Sequence, residues 1–327
     1  MANFLNLDET NLFEQSELAA YVANQPYIPG KAGTLFESDG ISTTVAVVDV
    51  EDGHVDVLVD TARDAAAQVA GSGSSKSIPL LTQFFPLEKT IGPSDFQNVR
   101  RAGSLDLVLL EDIRNKRLGE MLASHRRALE VQRVNALRGV IDARGGAVNL
   151  FTSFGLTQRQ VAMNFATTTT EVRSRALDAI EQIEAALGSD EVTGYVALCG
   201  SNFFRKLIEH KQVKDAYAAA ANLSALRDDV RQGFEFGDIE WVAYRGGLVP
   251  ADEAFLCPIV AGKSLFQTRF APPAQIEYVN QPGLPVHPRA EVLPMGKGVK
   301  LLTESAPVSW VSKPDAVIRL HVDTVPA

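Results

Sequence analysis

The tripeptide Gly262-Lys263-Ser264 is the part of this chain that most resembles a phosphate site. A loop that cradles phosphate needs GxxxxGK[ST], in which the leading glycine permits a tight turn and the lysine reaches the outer phosphates. Here the position five before Gly262 is Cys257, and Pro258 after it has no N–H to offer an anion. A lysine in an ordinary turn is therefore expected. The five histidines, His54, His125, His210, His287 and His321, are scattered and show no HxH, HxxxH or HExxH spacing. Gly200-Ser201 lacks the flanks of a nucleophile elbow. The carboxylate pairs Glu111-Asp112 and Asp228-Asp229 are adjacent, so on a helix they point about 100° apart and do not converge on one atom. Cys199 and Cys257 are far apart and outside any CxxC pattern, which reads as two buried reduced thiols. No catalytic, cofactor-binding or metal-ligating residue is assigned, and the chain is expected to be neither an enzyme nor a cofactor protein.

With 46% hydrophobic and 22% charged residues, the composition is that of a globular chain, and 327 residues can bury one large core or two modest ones. The net charge of −9 argues against a dedicated nucleic-acid binder, which would carry a basic face. The first ten residues, MANFLNLDET, contain no basic stretch leading into an apolar one, so no secretory signal is expected. No apolar run approaches the roughly 20 residues of a membrane-spanning helix.

The elements follow from periodicity. A short helix is expected over Glu14 to Val22, then an extended stretch, Gln25 to Gly33, broken by proline and glycine. Val45 to Val50, the turn dipeptide Asp52-Gly53, and Val55, Val57 and Val59 alternating with polar residues predict a hairpin. Ala62 to Ser77 is small, polar and glycine-rich, like a loop tip, with Lys76 close to it. Ile78 to Ile91 is strand-like but interrupted by Pro79 and Pro86, which places it at a sheet edge. Together these describe a long β-arm.

The longest helix is expected from Leu107 to Arg138, about 45 Å at 1.5 Å per residue, with Gly139 as its stop and Gly119 as a weak point. Leu118, Leu122, His125 and Leu129 form its stripe. Arg114, Lys116, Arg117, Arg126, Arg127, Arg133 and Arg138 lie on the other faces, as a solvent face or an electrostatic interface with an acidic partner. A hairpin around Gly145-Gly146 follows, then a helix from about Arg159 to Leu187 with Val172, Ala176, Ile180, Ile183 and Leu187 on one face. Beyond it come a strand at Tyr195 to Leu198, a helix at Asn202 to His210, an alanine-rich helix at Asp215 to Arg227 and a strand at Phe234 to Tyr244. Prolines 272, 273, 282, 285 and 288 break a long connection. Alternation at Ile318, Leu320 and Val322 predicts a last strand that docks into an earlier sheet.

Three stretches, YVALCGSNFFRKLIEHKQVKDAY (195–217), FEFGDIEWVAYRG (234–246) and LLTESAPVSWVSKPDAVIRL (301–320), resemble in order and spacing the major capsid proteins of tailed bacteriophages. The resemblance is to the lambda-like capsid protein E family with its HK97-type fold. It implies an α+β fold with an N-terminal arm (1–40), an extended β-arm or E-loop (41–95), and a peripheral domain (96–192) holding a spine helix (107–139). An axial domain (193–276) and a return to the peripheral domain (277–327) complete it. It further implies a structural subunit that self-assembles through hexamers and pentamers into an icosahedral head around double-stranded DNA. The implied partners are copies of itself, a scaffolding protein, a portal protein and a decoration protein, with DNA touched non-specifically and no membrane. Assembly in the host cytoplasm and residence in the virion follow from the same likeness. A cellular compartment shell with the same fold is the first alternative, and an unrelated phosphate-binding α+β domain the second.

Overall fold

The computed structural model describes residues 13–25, 30–51, 75–95, 110–167, 171–188, 190–219 and 233–324. Helix α1 (Gln15–Asn24) is followed by β1 (Glu37–Gly40), β2 (Val45–Glu51), β3 (Ser75–Leu81) and β4 (Phe85–Ile91). The long helix α2 (Leu110–Leu137) leads to β5 (Val140–Ala143), β6 (Gly146–Asn149), α3 (Leu150–Phe154), β7 (Gln160–Ala162) and α4 (Val172–Leu187). Then come β8 (Val192–Cys199), α5 (Ser201–Glu209), α6 (Lys211–Ala219), β9 (Phe234–Phe236), β10 (Ile239–Ala243), β11 (Glu253–Val260) and β12 (Phe266–Phe270). The chain closes with β13 (His287–Leu293), β14 (Gly298–Ser305), β15 (Pro307–Val311) and β16 (Ile318–His321).

A six-stranded sheet of order β7-β16-β11-β8-β10-β9 holds the largest core, with α4 and α5 packed against it. The α4 stripe Val172, Ala176, Ile180, Ile183 and Leu187 is buried there, as its spacing predicts. The last strand, β16, docks between β7 and β11, also as expected. Two three-stranded sheets, β1-β12-β15 and β13-β14-β4, and two ribbons, β2-β3 and β5-β6, complete the architecture. Pro79 lies in the two-stranded ribbon and Pro86 on an edge strand, so each strand has a neighbour on one side only, where proline is tolerated. Pro258 lies in β11 past the last residue paired with β16, so it too interrupts nothing on that side.

Several expectations are corrected. The helix expected from Arg159 begins only at Val172. Gln160–Ala162 is a strand parallel to β16, and Asn164, with φ of 53°, turns the chain away from helical geometry. The expected single strand from Phe234 to Tyr244 is a hairpin. Gly237 and Asp238 both have φ of 62°, the left-handed pair that a type I′ turn requires. The alanine-rich helix starts at Lys211, earlier than expected, and residues 220–232 lie outside the described part. The turn at Asp52-Gly53 and the alternation at 55–59 also lie outside it, and over the described residues β2 pairs with β3, Val45 opposite Leu81. The hairpin around Gly145-Gly146 is present as β5 and β6.

Helix α2 spans 28 residues, unbroken through Gly119, and ends just before Gly139. Its first half buries Ile113, Leu118 and Met121 against α1, β4 and β14. Its second half departs from the expected apolar stripe with a basic exterior, because Glu130, Gln132 and Arg133 are buried with the leucines. Arg133, 1% exposed, donates to Thr268 Oγ1 at 3.2 Å and Ser38 Oγ at 2.8 Å and lies over the Phe36 ring. Gln132 donates to Gln83 Oε1 at 2.7 Å, Asn135 to Asp142 Oδ2 at 2.7 Å, and Arg138 to the Leu248 carbonyl at 3.1 Å. Arg117 pairs with Asp95 at 2.9 Å and Arg127 donates to the Gly246 carbonyl at 3.2 Å. Much of the basic helix surface is thus spent on partners within the subunit.

A buried charge that loses its partners is costly, and so are partners left behind in a dry site. Arg133→Met should therefore lower unfolding stability by about 3 kcal/mol in urea titrations, since two charge-assisted hydrogen bonds vanish together. A loss under about 1 kcal/mol would mean that the arginine contributes little to holding β1 and β12 on the helix.

Candidate assembly surfaces

The β2-β3 ribbon is apolar on both faces over residues 45–47 and 78–81. On one, Ala46 and Leu80 are buried with Ile141, Ala143, Leu150, Val308 and Trp310. On the other, Val45 stands opposite Leu81 and Val47 opposite Pro79, all four exposed, Val47 at 54%. Alternation forces this split, because successive side chains of a strand point to opposite faces. A two-stranded ribbon is marginal in water by itself, and here only one of its faces is covered within the subunit. A cleft of about 550 Å³ runs beside β2, lined by Val45, Val47, Trp310, Lys263, Arg269 and Lys313 among others.

A second apolar surface lies in the connection from β12 to β13. Ile276 is 93% exposed, and Val279 and Leu284 are also exposed. Leu284 and Tyr278 border a groove of about 330 Å³ whose other walls are Ala19, Val22 and Ala23 of α1 and Leu122, His125 and Leu129 of α2. Met295, at the turn between β13 and β14, is 91% exposed in a left-handed conformation with φ of 63°. The proline spacing marked this connection as irregular but did not single out its apolar residues. Isoleucine and valine in a proline-rich loop were the available signal.

The tripeptide Gly262-Lys263-Ser264 forms the turn between β11 and β12, and a strand follows it where a phosphate loop needs a helix. Lys263 Nζ lies 2.9 Å from Asp190 Oδ1, and Ser264 Oγ donates to the Phe266 carbonyl at 2.8 Å. Asp190 also takes Lys313 Nζ at 2.9 Å, and the hydrogen bonds from the two lysines outweigh its partial burial, holding its carboxyl below the ordinary carboxylate range. Lys313 is the more buried lysine and donates to the Leu187 carbonyl as well. Lys313→Ala should consequently cost about 2–3 kcal/mol of stability and Lys263→Ala less than about 1 kcal/mol, measured by urea unfolding. Equal losses would refute this ranking.

The histidines stay apart. His125 is buried on α2, where its Nε2 meets Thr303 Oγ1 at 2.9 Å; His210 faces the Thr167 carbonyl and His321 the Gln160 side chain. His54 lies outside the described residues. Among the described residues, no group of three His, Cys, Asp or Glu side chains could hold a metal. Cys199 and Cys257 are free and buried, and burial pushes both thiols above their ordinary range.

His287, 2% exposed, accepts the Leu284 N–H at its Nε2, 2.9 Å away, and burial lowers its pKa to about 4. Between that value and the ordinary 6.5, the unfolded chain binds the extra proton and the folded one does not. The contribution to stability is complete above pH 6.5 and is lost as pH falls towards 4. Burial also lowers the pKa of His125 and His321, which act in the same direction. His287→Gln keeps an acceptor for Leu284 and should flatten the fall in the urea midpoint between pH 6.5 and 4. An unchanged slope would remove His287 from the account.

A long central helix, a ribbon with one apolar face turned outward, and an exposed apolar connection are the build of a subunit that meets further protein. A family model described as phage major capsid protein E matches residues 14–322, and the chain belongs to this family. It is 28% identical to the major capsid protein of Pseudomonas phage KPP10 over 292 residues, which cover 80% of this chain and 83% of that protein. The major capsid protein of Salmonella phage Felix O1 is 24% identical over 269 residues, covering 74% and 72%. Among solved structures, the capsid of cyanophage P-SCSP1u aligns with a TM-score of 0.56 at 10% identity, over 89% of this chain and 87% of that one. The fold is the α+β capsid fold of the HK97 type, and the family is one of structural proteins of the virion.

Proposed function

We propose that copies of this chain assemble through hexamers and pentamers into the icosahedral head that encloses double-stranded phage DNA. The observation that carries this reading is the outward apolar face of the β2-β3 ribbon, Val45, Val47, Pro79 and Leu81. Exposed apolar area of that kind is stabilised when another surface covers it, and in an assembly of identical subunits the cover is a neighbour. The arm grips that neighbour, and the groove beside α1 and the loop bearing Ile276 add further contact. In this reading residues 1–40 are the N-terminal arm, 41–95 the E-loop, 96–192 the peripheral domain and 193–276 the axial domain. The return segment 277–327 gives β16 to the six-stranded sheet, which also takes β7 and the packing of α4 from segment 96–192, and gives β15 to β12.

The work is geometric rather than catalytic. A separate scaffolding protein directs closure in the host cytoplasm, a portal protein occupies one vertex, and a decoration protein sits where arms converge. The charge of −9 suits a container that holds DNA without adsorbing it.

Sedimentation and negative-stain imaging of the concentrated chain with its scaffold should give very large closed particles. Deleting residues 66–74, which spares β3, should leave a folded subunit that assembles poorly. A protein that remains monomeric under all these conditions would end the proposal, and normal particles from the deletion would remove the loop tip from it.

A further inference from the structure

Glu130 is a buried carboxylate, 7% exposed, in the middle of α2. Its Oε1 accepts two hydrogen bonds, one from the Ala32 N–H at 2.9 Å and one from the Tyr244 hydroxyl at 2.9 Å. Its Oε2 is buried without a hydrogen-bond partner. Ala32 belongs to the arm that precedes β1, and Tyr244 directly follows β10 of the six-stranded sheet. The arm is pressed so closely onto this carboxylate that a Cβ on Gly30 would lie 2.1 Å from Glu130 Cδ. One turn earlier on the helix, Arg127 holds the Gly246 carbonyl, so the chain beyond β10 is tied to α2 twice.

We propose that Glu130 is a positioning residue for assembly, setting the angle between the N-terminal arm and the six-stranded sheet across α2. That angle sets the curvature at which copies join. The inference rests on the capsid reading. Identical subunits close into a shell only if each presents its contacts at a fixed mutual rotation, and a small slack inside one subunit recurs in every copy. One oxygen that serves two elements at once links them through a single atom, and hydrogen bonds to a carboxylate are stronger than neutral ones.

The test compares Glu130→Met, which removes the acceptor at similar size, with Glu130→Gln, which keeps one oxygen for both donors. Ile183→Ala, which opens a cavity under the buried face of α4, serves as a control, destabilised at a site away from the joint. Each is assembled with the scaffold and imaged, and its thermal midpoint is recorded. The expected result is shells of one diameter from the wild type, from Glu130→Gln and from Ile183→Ala. Glu130→Met should lose that single diameter in favour of open sheets and mixed sizes. Wild-type diameters from Glu130→Met would overturn the inference, as would an equal spread from Ile183→Ala, which would mark a general loss of stability. If Glu130→Met does not fold, Tyr244→Phe decides, since it removes one donor only: mixed sizes support the joint and a single diameter overturns it. If the wild type itself forms no shells, the capsid reading falls first and takes this inference with it.

Discussion

The structure depends on a helix held in place by directional hydrogen bonds as well as by apolar packing. Along its second half and just past its end, α2 meets the segment around Ala32, strands of two sheets and the loop after β10 through Glu130, Gln132, Arg133, Asn135 and Arg138. Apolar packing is non-directional and allows a helix to roll or slide, while these contacts accept one register only. The cost is desolvation of several polar groups, and networks of this kind favour uniqueness more than raw stability.

With the helix fixed, the remaining elements divide into surfaces that are closed and surfaces that are left open. The six-stranded sheet closes its own core with α4 and α5. The sheet formed by β13, β14 and β4 closes against α1 and the start of α2, with Lys89 bonded to Glu120 and Lys300 to Glu88 along the seam. The β2-β3 ribbon and the loop around Ile276 are left open. A capsid subunit needs this division, because its inner architecture must be settled before its outer contacts are made.

Much of the fold was legible in the chain because periodicity reports burial. The α4 stripe, the β5-β6 turn and the docking of the last strand each follow from alternation or helical spacing. Strand β7 was hidden because three residues are too few to show a period, and its partner β16 is more than 150 positions later in the chain. The Gly-Asp dipeptide at 237–238 was a turn signal masked by the apolar residues around it. The stripe Leu118, Leu122, His125 and Leu129 of α2 is buried as its spacing predicts, but the charged and polar residues buried beside it were not legible. Arginine and glutamate on a helix read as exposed unless their partners are known, and Ser38, Thr268 and Tyr244 are remote in sequence. No catalytic constellation was expected, and the surfaces that matter here are defined by exposure, a property that composition does not encode.

The strand order has a bearing on synthesis. Strand β1 pairs with β12, β4 with β14 and β7 with β16, so three sheets wait for residues made more than 150 positions later. Such long-range pairing is slow to form and cannot be completed while the ribosome still holds the C-terminal strands. A prematurely terminated product lacks the partners of its own early strands, and so never presents a finished surface to a growing lattice. Checking of this kind comes without any added machinery, since β16 is also an inner member of the six-stranded sheet.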